Sequence, residues 1–181
     1  QCLTCQRERA VFGAAANVKE ALKSLPIKGM LYRWSLDYAK PTTSATSSGN
    51  RRVLVMLEHY TRFIILIPTK DKSAATTADA FTWHVLSIFG SPAEVLTDQG
   101  TEFKGEFEEL LQKIGIDHRT PQAYSPQANG AAERIVQVVK TALTKLQMQA
   151  NVSATWDTEL WKLALAYNST PQESTKCQPF V

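Results

Sequence analysis

The stretch RRVLVMLEHYTRFIILIP, residues 51–68, narrows what this chain can fold into more than any other. It holds two unbroken apolar runs of five residues, Val53–Leu57 and Phe63–Ile67. A helix that crosses a bilayer needs about 20 apolar residues, so neither run spans a membrane. Short apolar runs bounded by turn signals read as buried strands. We expect two such strands here, Val53–Glu58 and Phe63–Ile67, turned through His59–Arg62. Pro68 is expected to end the second. Buried strands need covering layers, and the rest of the chain has to supply them.

The flanking patterns do so. In LYRWSLDY, Tyr32, Trp34, Leu36 and Tyr38 alternate with Arg33, Ser35 and Asp37, as on a strand with two distinct faces. A polar Ser/Thr-rich loop, 41–50, follows. Ser73 is an expected N-cap for a helix over Ala74–Phe89, with Ala78, Phe81, Val85, Ile88 and Phe89 at helical spacing and Gly90 as its stop. AEVLTD reads as a short strand ending on Asp98. Phe103, Phe107, Leu110, Leu111 and Ile114 mark one helix face, closed by Gly115. IDHRT is a last short strand. After a loop over Pro121–Gly130, helices are expected over Ala131–Ala150 and Thr155–Tyr167. A short helix over Ala15–Ser24 precedes them all. Tight connections make strands 1 to 3 a meander, and helical crossovers deliver strands 4 and 5 in parallel. The fold class is α/β, a five-stranded mixed sheet flanked by helices.

The 181 residues, 44% hydrophobic, suit one globular domain. No signal peptide is evident, and the ends read as those of a piece cut from a longer polypeptide. The charge is uneven. Residues 1–52 hold nine Lys/Arg against three Asp/Glu, and residues 53–181 hold eleven against fourteen. A basic N-terminal third suggests a polyanionic partner, with ordinary solvated charge as the plain alternative. Cys2, Cys5 and Cys177 are too few for a disulfide framework, which points to a reducing compartment. Cys2 and Cys5 have the CxxC spacing of half a zinc site. Without a His pair they read as two free thiols.

Three acids stand apart. Glu102, Glu106, Glu108 and Glu109 read as the outer face of a helix. Asp37 instead interrupts an apolar strand, Asp98 ends one, and Glu133 opens a helix behind a breaker-rich loop. Each has a bland reading alone: an edge-strand acid in water, a turn residue and a dipole-favoured first-turn acid. Together they lie where α/β sheets gather function, beyond the carboxyl ends of the strands. Two carboxylates 4 Å apart repel by about 4 kcal/mol at an effective dielectric of 20. Divalent cations relieve that repulsion, and hard oxygen donors suit Mg²⁺ or Mn²⁺. Two such ions can clamp the attacking and leaving oxygens of a phosphodiester. Glu133, Gln137, Lys140 and Thr144 form a polar stripe on one helix. Lys140 is either a holder of backbone phosphate or a surface lysine.

VLTDQGTEF, with GIDHRTPQAYSPQANGAAERIVQVVKTAL after it, resembles the catalytic core of retroviral and LTR-retrotransposon integrases, especially the Gypsy/Ty3 type. WSLDYAKP is similar to the strand bearing that family's first Asp. VLVMLEHYTRFIILIPTKDKSAATTADAF is similar to its next two strands and first helix. CLTCQRERA resembles the tail of the zinc-binding module before the core. The resemblance implies a ribonuclease H-like fold. It divides the chain into a module tail and linker (1–28), a catalytic core (29–170) and the start of a C-terminal linker (171–181). It carries the three catalytic, metal-binding acids onto Asp37, Asp98 and Glu133, with a two-metal Mg²⁺ or Mn²⁺ site. The implied reaction is 3′-end processing and strand transfer of retroelement DNA into target DNA. Residues near that DNA are Tyr124, Gln127, Asn129, Gln137 and Lys140, Tyr124 as a base-stacking or a loop-packing residue. Homo-oligomers acting in the nucleus are implied as well. Zinc binding at Cys2 and Cys5 requires a His pair elsewhere in the full-length protein.

There are departures from the family pattern. The Asp98–Glu133 interval is 34 residues, against the family's 35, with the deletion in KGEFEELLQK. The residues read here carry no resemblance to the family's C-terminal DNA- or chromatin-binding region. The competing reading is a decayed or domesticated core that binds DNA or assembles without catalysis. Trp156 and Trp161 are expected in the core of the last helix, with an interface as the alternative.

Overall fold

Unbroken apolar runs in β2 are explained by cover on both faces. The computed structural model describes residues 28–40, 45–120, 130–147 and 155–180. Three strands form an antiparallel meander, β1 (Arg33–Ala39), β2 (Arg52–Glu58) and β3 (Ile64–Thr69). β4 (Glu94–Leu96) pairs parallel to β1, and β5 (Asp117–Arg119) parallel to β4. The sheet order is β3-β2-β1-β4-β5, with β1 in the middle.

Among the described residues, four helices cover this sheet. α1 begins as Ala74–Phe81 and runs on through a π-helical stretch, Thr82–Leu86, to Ser87–Phe89. α2 is Glu106–Lys113, α3 is Gly130–Gln147 and α4 is Trp156–Asn168. Leu54 and Met56 of β2 join Trp34, Leu36, Phe81, Val85, Phe107 and Leu111 in one core. Val53, Val55 and Leu57 point the other way, into a core with Ile135, Val139, Leu143, Trp156 and Leu160. Successive β2 residues therefore serve opposite cores, which leaves no place for a polar one. Among the described residues, no helix is long and apolar enough to cross a membrane.

Local chemistry sets the boundaries. Ser73 caps α1 as expected, its side chain accepting from Thr76 N–H at 3.2 Å. The expected helix face from Phe103 to Ile114 is divided. Thr101–Phe103 is a separate 3₁₀ turn, and Gly105, at φ 56°, lets the chain reverse before α2. Pro68 lies within β3, paired with Val53, and does not end it. β3 is an edge strand, where a missing N–H costs no ladder bond. Asn168 covers the same edge. Its side chain accepts from Ile64 N–H and donates to Ile64 C=O, both at 2.9 Å.

The polar loop 41–50, described from residue 45, is tied to α4. Thr46 Oγ1 and Asn50 Nδ2 donate to Asp157 Oδ2 at 2.9 and 2.7 Å. Residues 171–180, read as a linker, fold back, and Phe180 meets the Phe63 ring at 5.5 Å between centroids. Trp156 is fully buried, but Trp161 is 61% exposed, because it sits on the side of α4 turned from the core. The expected helix over residues 15–24 lies outside the described residues.

The amino ends of the parallel strands are closed by charge. Arg33 and Glu94 are register partners and pair at 2.6 Å, both nearly buried. Arg119 adds a contact to Glu94 at 3.2 Å. Beside them Glu58, fully buried, accepts from Leu31 N–H, Thr61 N–H and Thr61 Oγ1, which offsets its lost hydration. Ser35 Oγ and His59 Nε2 form a second buried polar pair. Burial, then the charges of Arg33 and Arg62, lower the His59 pKa to about 4.

This predicts acid sensitivity. Above pH 6.5 His59 is neutral whether the chain is folded or not. Below that, the unfolded chain takes up a proton that the folded chain refuses until about pH 4. Stability contributed by this group is thus present above pH 6.5 and lost as pH falls to 4. The loss is about 2–3 kcal/mol. Urea unfolding at pH 7 and pH 4 measures it, and His59→Gln should shrink the difference by that amount.

Candidate active site

The site grows from the parallel register of β1 and β4. Their last paired residues are Ser35 and Leu96. Two positions further along each chain stand Asp37 and Asp98. Thr97 N–H still donates to Arg119 C=O at 3.1 Å, so the chain holds its direction as far as Asp98. Pleating returns side chains to one face every second residue, and adjacent strands lie about 4.8 Å apart. The two aspartates therefore face each other at the carboxyl ends of neighbouring strands. Asp37 is register partner to Val55, whose side chain enters the core under α3 and α4. Asp37 thus opens on the α3 side of the sheet.

Asp37 is not the edge-strand acid of the bland reading. β1 is the central strand, and Asp37 is half-buried. Its Oδ1 accepts from Tyr38 N–H at 2.6 Å. Asp98 Oδ1 accepts from Gly100 N–H at 2.9 Å. Each carboxylate is oriented by a backbone donor through one oxygen. Burial pushes the Asp37 pKa above its ordinary value. The Tyr38 N–H opposes this, the charge of Asp98 adds to it, Lys140 opposes it, and Glu102 adds again. Lys140 of α3 is therefore close enough for its charge to favour the ionised form of Asp37. Gln137, on the same stripe, is exposed.

Glu102 is the residue that sequence reasoning missed. It was expected on the outer face of a helix, but it is 6% exposed, on the 3₁₀ turn Thr101–Phe103. Lys72 Nζ reaches both of its carboxylate oxygens, at 3.1 and 3.2 Å. Gly100 is hemmed between the two acids. A Cβ there would lie 2.7 Å from Glu102 Oε2 and 2.9 Å from Asp98 Oδ1. A side chain there would have to displace these two carboxylates, while the backbone φ of −60° suits any residue. The available signal was DQGTE itself, two acids four apart around a glycine.

Glu133 lies on the first turns of α3, and its side chain is outside the described residues, as are Tyr124, Gln127, Asn129, Cys2 and Cys5. Among the described residues, no three His, Cys, Asp or Glu side chains are grouped to hold a metal ion. The Asp37–Asp98 pair alone fits a divalent cation by chemistry. It offers hard oxygen donors and a carboxylate that is short of positive charge.

The protein family described as "Integrase core domain" matches residues 28–126. An uncharacterised protein of Caenorhabditis elegans is 30% identical over 143 residues, 78% of this chain and 10% of that protein. The transposon Tf2-3 polyprotein of Schizosaccharomyces pombe is 27% identical over 99% of this chain and 13% of the polyprotein. The chain thus spans about a tenth of the length of the curated relatives it matches. The HTLV-2 integrase catalytic core domain, solved in complex with magnesium, is similar in fold. Its TM-score is 0.63 at 20% identity, over 82% of this chain and 93% of that one. The five-stranded mixed sheet between helices is the ribonuclease H-like arrangement expected from the resemblance.

A raised pKa in the folded state means that the neutral carboxyl favours folding. Its contribution is present at low pH and lost as pH rises through the folded value. Asp37→Asn should therefore raise the thermal midpoint at pH 7 in chelated buffer, and the gain should vanish in acid. Thermal melts across that pH range check both signs.

Proposed function

The chain belongs to the integrase core domain family, and we propose that it catalyses metal-dependent 3′-end processing and strand transfer of retroelement DNA into target DNA. The observation that carries this reading is the pair Asp37 and Asp98, each two residues past the last β1–β4 partners, with the charges of Asp98 and Lys140 both acting on Asp37. Asp37, Asp98 and Glu133 would hold the ions. Two divalent cations, Mg²⁺ or Mn²⁺, would supply neutralisation of charge on the attacking and leaving oxygens of the phosphodiester.

The protein's own part is positioning and charge. Backbone N–H groups of Tyr38 and Gly100 fix one oxygen of each aspartate, so the carboxylates need little reorganisation. Glu133 joins from α3, which packs across β1. Lys140 holds a backbone phosphate of the DNA beside the acids, and Gln137 lies one turn before it on the same stripe. Tyr124, Gln127 and Asn129 contact DNA from the segment leading into α3. Phosphate contacts dominate affinity and make it salt-dependent. The active form is a homo-oligomer on paired DNA ends, and its site of action is the nucleus.

Asp98→Asn and Glu133→Gln should each lower strand transfer by about 10²–10³-fold or more without unfolding the chain, the scale of losing a preorganised charge-stabilising group. An assay with the element's terminal DNA, in Mg²⁺ and again in Mn²⁺, measures it. Activity that survives either change sinks the triad assignment. DNA binding by wild type without transfer favours the non-catalytic module instead. Lys140→Ala should weaken DNA binding at all sequences and reduce the slope of log K against log salt by about one.

A further inference from the structure

We propose that Lys72 is a positioning residue for the metal site: its ion pair with Glu102 holds that carboxylate away from the Asp37–Asp98 pair. The inference rests on the metal-dependent reading above and deepens it. Glu102 and Asp98 both crowd the side-chain space of Gly100, within 2.7 and 2.9 Å of where a Cβ would stand. Glu102 also bears on the charge state of Asp37. A third carboxylate therefore lies beside the two on the strand ends, on the same loop as Asp98, yet the three are not grouped to hold an ion.

Chemically, all carboxylates are alike to a hard cation. What separates Glu102 from the other two is its partner. Lys72 engages both of its oxygens, at 3.1 and 3.2 Å, so neither is left with a full unshared charge. Among the described residues, neither Asp37 nor Asp98 has a cation in ion-pair contact, and the Lys140 charge reaches Asp37 only from farther off. Each aspartate accepts one backbone N–H, and a neutral donor leaves the charge in place. The burial is lopsided, with the Glu102 side chain 7% exposed and that of Lys72 51%. The buried acid depends on the cation more than the cation depends on it. Lys72 stands just before the Ser73 cap of α1, a fixed point from which it can hold the loop.

Removing the lysine charge should free Glu102 to compete for the ions. Lys72→Met should tighten Mg²⁺ binding by about tenfold, as one uncompensated charge joins the site. It should also lower strand transfer by about tenfold or more, because the ion is then held off its productive position. Lys72→Arg keeps the charge and should remain near wild type in both. The double variant Lys72→Met/Glu102→Gln should return both affinity and activity to within about threefold of wild type, since the freed acid is gone.

Calorimetric titration of the protein with Mg²⁺ alone reads affinity independently of activity. Unchanged Mg²⁺ affinity in Lys72→Met would overturn the proposal. So would a double variant as inactive as Lys72→Met, which would mean that the lysine acts on DNA directly. If Lys72→Met does not fold, a folded double variant with wild-type Mg²⁺ affinity supports the proposal, and one that stays unfolded or has altered affinity overturns it. Wild type that binds no Mg²⁺ would remove the metal-dependent reading itself, whereas the other failures remove only this inference.

Discussion

Burial of β1 and β2 on both faces is the constraint on which the rest depends. A strand covered by helices on each side has no solvent face, so its register cannot slip without sending large apolar residues into the opposite core. Trp34 and Leu36 are committed to the α1–α2 side, and Val53, Val55 and Leu57 to the other. That commitment fixes β1 against β2. The Arg33–Glu94 pair then fixes β1 against β4 at its amino end. With both neighbours set, the pairing of Ser35 with Leu96 directs the chains that carry Asp37 and Asp98 toward the same end of the sheet.

The same arrangement separates stability from chemistry along the strand axis. At the amino end every buried charge is answered: Arg33 by Glu94, Glu58 by three donors. At the carboxyl end burial of Asp37 and the charge of Asp98 outweigh the Tyr38 N–H and the Lys140 charge, so Asp37 sits above its ordinary pKa. The fold tolerates this imbalance because the opposite end and the two cores are well satisfied. A locally unfavourable cluster on an otherwise consistent scaffold is the arrangement that the proposed site calls for.

Much of this is legible in the residues themselves. Element order follows from apolar period and from breakers such as Gly90 and Gly115, and Asp37 and Asp98 stand out because a strand is a poor place for an acid. Glu102 is hidden for a definite reason. The apolar spacing of Phe107, Leu110, Leu111 and Ile114 extrapolates smoothly back to Phe103, and so makes one helix of what is a 3₁₀ turn and a helix. Only the reversal at Gly105 shows otherwise, and nothing local demands it. Pro68 misleads in a similar way. A proline ends a central strand but not an edge, and whether β3 is an edge depends on pairing far along the chain. Trp161 shows the limit of composition, since a tryptophan on an amphipathic helix can face either way.

That edge has a consequence for how the molecule keeps to itself. Asn168 occupies both backbone groups of Ile64, and Pro68, four residues on along the same outward-facing row, has no N–H to offer. A foreign strand laid along β3 would find one position already taken and another without a donor. Open edges of hydrophobic sheets are templates for uncontrolled β-pairing. Here the template is spoiled at two points by a single amide and a single ring. Contact between copies of this chain is thereby steered away from sheet extension along β3.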